Sequence, residues 1–83
     1  MATHIVTYDL LRPGQNYESL LQALRNMGAK RVLLSTWLLQ STSEPIDIVN
    51  ALRGYVDTND RLFVASMEKW AWTPNIMSDP KQV

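Results

Sequence analysis

The side chains able to do chemistry are few, and the best placed is Asp9. It ends the run Thr3-His4-Ile5-Val6-Thr7-Tyr8-Asp9-Leu10, just ahead of the breaker Pro13-Gly14. A carboxylate at the end of a central strand is costly to bury unpaired, so it is the first place to look for function. The plain alternative is that Asp9 caps the next turn or pairs with Arg12. Arg12, Lys30, Arg31 and Arg61 are the candidates for phosphate contact, although scattered surface arginines are usually just solvated. His4 is the only histidine, which argues against a histidine-rich metal site or a Ser-His-Asp triad within one chain. Ser35 can reach a phosphate oxygen, yet a hydrogen-bonded structural serine explains it as well. Asp57 and Asp60 resemble a metal pair on paper, but a polar turn uses such residues to bind its own backbone. Trp70 and Trp72 can stack bases; with little basic charge nearby, burial against a partner subunit is the stronger expectation.

Composition bounds these options. Eighty-three residues make one small domain with a thin core. Eight basic and eight acidic side chains cancel, which disfavours a general nucleic-acid coat protein. There is no cysteine, so disulfides and thiolate metal sites are excluded and a cytoplasmic setting is expected. No apolar run is long enough for a membrane span, and no basic segment followed by a long apolar stretch suggests a signal peptide.

The elements that must hold these residues read as follows. The opening run is β-branched and aromatic, hence a strand. Tyr17, Leu20, Leu21, Leu24 and Met27 recur at helical spacing, which predicts a helix from Tyr17 to Met27, with Asn16 as its cap and Gly28 as its stop. Lys30 to Ser41 is extended, apolar on both parities and long for one strand. A bend or bulge near Ser35-Thr36 would divide it in two. Ser43-Glu44-Pro45 starts a second helix that ends near Gly54. Asp57-Thr58-Asn59-Asp60 turns into a last strand, Arg61 to Glu68.

Strand, helix, paired strands, helix, strand is the order of an α+β, ferredoxin-like βαββαβ fold. Its sheet is antiparallel and both helices lie on one face. A single domain over residues 1–73 is expected, followed by a tail over 74–83 that is loosely ordered or docks on a partner. Leu33, Trp37 and Phe63 are expected near the helix-free face. A small monomer rarely exposes such a face, so a twofold homodimer is expected, or else a tail that folds back with Trp70 and Trp72.

The ordered set Ile5-Val6-Thr7-Tyr8-Asp9-Leu10, the Gly28 loop into Arg31-Val32, Ser35-Thr36-Trp37, and Val56-Asp57-Thr58-Asn59-Asp60-Arg61-Leu62 resembles the CRISPR-associated Cas-two family. The resemblance spans nearly the whole chain. It implies a ferredoxin-like homodimer, with a C-terminal strand or arm around Trp70 to Thr73 that pairs with the partner's sheet. Leu33, Trp37, Trp70 and Trp72 would then line the dimer interface. It also implies a scaffolding role beside a Cas-one-like integrase, or a Mg²⁺-dependent nuclease with Asp9 as metal ligand and catalytic group. One carboxylate binds Mg²⁺ poorly, and a twofold axis between two copies of Asp9 would supply two. The VapD-type ribonuclease toxins share the Asp-ended first strand. Two departures, together with a net charge of zero, weaken both the nuclease and the DNA-scaffold readings. Only Arg12 follows Asp9 where typical members carry several basic residues, and Leu33 and Leu34 stand where polar or basic side chains are common. The expectation is a dimer that binds nucleic acid or a partner, with a degenerate catalytic site.

Overall fold

The computed structural model describes residues 1–11 and 17–83. The expectations for Arg12, Pro13-Gly14 and Asn16 lie outside the described residues. Strand β1 (Ala2–Asp9) leads to helix α1 (Glu18–Asn26), then strands β2 (Lys30–Leu33) and β3 (Thr36–Ser41). Helix α2 (Pro45–Leu52) runs into a short 3₁₀ turn (Arg53–Tyr55), followed by strand β4 (Arg61–Met67). The sheet order is β2-β3-β1-β4, and every neighbouring pair is antiparallel. Each strand–helix–strand unit therefore steps over one strand, as the ferredoxin-like plan requires.

Local chemistry explains the ends of the elements. Gly28 has φ of 85°, a region that side chains disfavour. There its N–H bonds Arg25 O at 2.9 Å and the Ala29 N–H bonds Leu24 O at 3.0 Å, closing the last turn of α1. Pro45 opens α2 where its missing N–H costs nothing, and the Asp47 and Ile48 N–H groups reach back to Glu44 O.

Both helices pack on the same sheet face. Val6 and Tyr8 of β1, Trp37 and Leu39 of β3, Leu20 and Leu24 of α1, and Ile48 and Leu52 of α2 form one buried cluster, with Leu62 and Val64 of β4 against it. Fully burying one such side chain stabilises the fold by about 2 kcal/mol. His4 lies on the same face, buried across three strands. The Ser41 carbonyl can only accept, so Nε2 carries the proton toward it at 3.3 Å, and Nδ1 accepts from the Ser66 hydroxyl at 3.2 Å.

The long extended region divides where a bend was expected, with Leu34-Ser35 as the turn. The register also shifts between Arg31 and Leu33, so that Arg31 lies opposite Trp37 while Leu33 lies opposite Thr36. This extra residue corrects the expected pairing of Leu33 with Trp37 on one face. Leu33 goes to the helix-free side. Trp37 is 2% exposed in the helix-side core, where its Nε1 donates to the Tyr8 hydroxyl at 3.1 Å.

The C-terminal segment is an arm, not a fifth strand. It leaves β4 at one edge of the sheet, yet the Met77 N–H bonds Val32 O on β2, the other edge, at 3.1 Å. Residues 68–76 therefore cross the sheet's width, about 14 Å for three strand spacings. With one face filled by helices, the arm takes the helix-free side, where Val32 and Leu38 are buried apart from the helix-side cluster. The tail was expected to be loose or to need a partner; instead it bonds its own β2 and buries Pro80.

Candidate functional site

Asp9 closes β1 directly opposite Arg61, the first residue of β4. Alternation along the strand puts Asp9 on the helix-free side with Thr7, Thr36 and Phe63. Its Oδ2 lies 3.6 Å from Arg61 Nη1, and both side chains are exposed. Water screens such a pair, so it contributes little to stability. A shallow depression of about 310 Å³ opens here, lined by Thr7, Tyr8, Asp9, Arg61, Leu62 and Phe63. The alternative partner, Arg12, lies outside the described residues.

A row of four residues crosses the sheet beside Asp9. Leu33 faces Thr36, Thr36 faces Thr7, and Thr7 faces Phe63. The two central hydroxyls bond each other at 3.1 Å, and Thr7 Oγ1 donates to Ser35 O at 3.1 Å. The two ends are apolar and open, with Phe63 62% and Leu33 54% exposed.

Among the described residues, the expected phosphate contacts do not converge. Lys30 begins β2 opposite Leu38, whereas Arg61 begins β4 on the far edge of the sheet. Three strand spacings and four residues along the strands separate them by about 20 Å. Arg31 is occupied: Nε and Nη2 donate to Leu34 O at 3.0 and 2.6 Å, and the guanidinium lies 5.7 Å from the centre of the Trp37 ring. It fastens the β2–β3 turn.

Asp60 serves structure, as its turn position suggested. Oδ1 accepts from the Leu11 N–H at 2.8 Å and the Tyr17 hydroxyl at 3.1 Å, and Oδ2 accepts from the Asp57 N–H at 2.8 Å. One carboxylate thus joins the end of β1, the start of α1 and the turn into β4. Sequence reasoning reached the turn but missed these long-range bonds, because nothing local marks Leu11 or Tyr17 as donors to residue 60.

A divalent cation does not fit at Asp9 within one protomer. The position offers a lone carboxylate with a guanidinium beside it, which repels a cation. Among the described residues, no three His, Cys, Asp or Glu side chains are grouped to hold a metal. Nor is any described helix long and apolar enough to cross a membrane.

A second cluster lies away from the sheet end. Glu68, Lys69, Trp70, Trp72 and Lys81 line another depression of about 310 Å³. Trp70 and Trp72 are 40% and 39% exposed there. The sequence flagged the tryptophans but not Lys81, which only the returning arm brings to them. No known family model matches the chain, and no solved structure matches it.

Proposed function

We propose that this protein is a non-catalytic homodimeric module of the Cas-two-like kind. On this reading it works in the cytoplasm and presents a composite surface to nucleic acid or to a Cas-one-like protein partner. The observation that carries the proposal is the Leu33–Thr36–Thr7–Phe63 row. One face of the sheet is closed by helices, while this end of the other face keeps two large apolar side chains in water. A second copy related by a twofold axis would bury the same row against itself. Asp9 and Arg61 lie on that face, so each carboxylate would enter the interface with a cation in reach. The ferredoxin-like topology and the ordered motifs support the family resemblance. Sedimentation at micromolar concentration tests the assembly: a dimer is expected, Phe63→Asp should give a monomer, and a monomeric wild type overturns the reading.

The second reading is a Mg²⁺-dependent phosphodiesterase built from both copies of Asp9. It draws on the exposure of Asp9 on the same face, where a twofold partner would add a second carboxylate. Asp9→Asn, compared with wild type on RNA and duplex DNA in Mg²⁺, decides it. Equal background cleavage by the two proteins ends the enzyme reading.

A further inference from the structure

We infer that a second copy of this chain docks by seating its Phe63 in the depression beside Asp9, against the Arg61 guanidinium. This rests on the dimer reading and names the contact that holds the two copies together. Knob and socket lie on one surface. Phe63 stands 62% exposed, and the adjoining depression of about 310 Å³ is lined from the helix-free face by Thr7, Asp9, Arg61 and Phe63 itself. A cavity of about 150 Å³ is enough to hold one benzene ring. A surface that carries both the protruding side chain and its receptacle is self-complementary, as a twofold contact between copies requires. Asp9 and Arg61 lie 3.6 Å apart and cancel in charge, so the depression favours an uncharged ring over an ionic guest.

Arg61 is suited to receive that ring. A guanidinium is planar, weakly hydrated and stacks on aromatic faces. Within the single chain its ion pair is the exposed one with Asp9, and the cation that lies over a ring among the described residues is Arg31, at Trp37. The outer face of Arg61 and the π-face of Phe63 are thus both left for the partner. The arm sets the direction of the twofold axis. It runs from the end of β4 to Val32 on the helix-free side, so an axis along the strands would lay one arm on the other. An axis along the Leu33–Thr36–Thr7–Phe63 row sets the arms on opposite sides. It also brings each Phe63 to the rim of the partner's depression.

The test is the dimer dissociation constant of the full chain, from sedimentation over a concentration series. Arg61→Ala should raise it about tenfold, because the contact occurs twice about the axis and each is worth a factor of about two to five. The fold of the protomer should be unchanged by circular dichroism. Phe63→Leu keeps an apolar knob and removes the π-face. In that background Arg61→Ala should change the constant by less than about twofold, the sign of a shared contact. A wild-type dimer whose constant Arg61→Ala leaves unchanged overturns this inference and spares the dimer reading. Equal effects of Arg61→Ala in the two backgrounds also overturn it, since Arg61 would then act on something other than the ring. A monomeric wild type ends both.

Discussion

At the scale of single residues, the chemistry of this protein turns on which side chains are already engaged. Tyr8 and Asp9 are neighbours with opposite fates, because alternation sends one into the helix-side core and the other to the open face. The Tyr8 hydroxyl is the acceptor for buried Trp37 Nε1. Tyr8→Phe should therefore cost about 1–2 kcal/mol in denaturant unfolding, since it strands an indole N–H. Arg61→Ala removes only a screened partner of Asp9 and should change stability by less than about 0.5 kcal/mol. A larger loss would show that the pair has a structural task beyond its exposed contact. The alternation that separates Tyr8 from Asp9 was legible in the chain. That Arg31 would be spent on a turn carbonyl was not, because its acceptor is a backbone oxygen three residues on, placed by the bulge.

At the scale of elements, the ends carry the predictions. Gly28 sits at positive φ with no atom within 4 Å of where a Cβ would point. Gly28→Ala should then cost about 1 kcal/mol from backbone strain alone. In a thermal melt of a domain this size that is a shift of about 4–8 °C. No change in the melting temperature would contradict the left-handed stop. Asp60 binds three donors from three segments. Asp60→Ala should cost about 3 kcal/mol, and amide exchange should quicken at Leu11 and Asp57 together. Exchange that quickens at Asp57 only would mean the carboxylate serves its own turn and no more. The start of α1 shows the converse limit of local reasoning: Tyr17 takes the N-cap position and makes no side-chain cap bond there, but reaches across to Asp60.

At the scale of the whole molecule, the helix-free face is divided in two. The arm serves the part around Val32 and Leu38, which are buried. The end near Asp9 keeps Phe63 and Leu33 open. The sequence posed self-association and a folded-back tail as alternatives, and the molecule combines the tail with an uncovered remainder. Removing residues 70–83 should enlarge the apolar face and promote aggregation or higher oligomers, read by light scattering. A truncated chain that stays as soluble and as stable as the full one would deny the arm any covering role. The tail could not be placed from its sequence because it has no periodic pattern, and its anchor is one backbone bond to a strand 45 residues earlier.

The chain by itself determined the order of elements, the two helix stripes, the stop at Gly28 and the division near Ser35. These are set by side-chain periodicity and backbone preference, which act over a few residues. Tertiary structure alone decided the rest: that Trp37 is core and Leu33 is surface, that Asp60 ties three segments together, and that Lys81 comes to rest beside Trp70 and Trp72. Each depends on a register shift or a chain reversal that brings distant residues into contact, and no local preference encodes either.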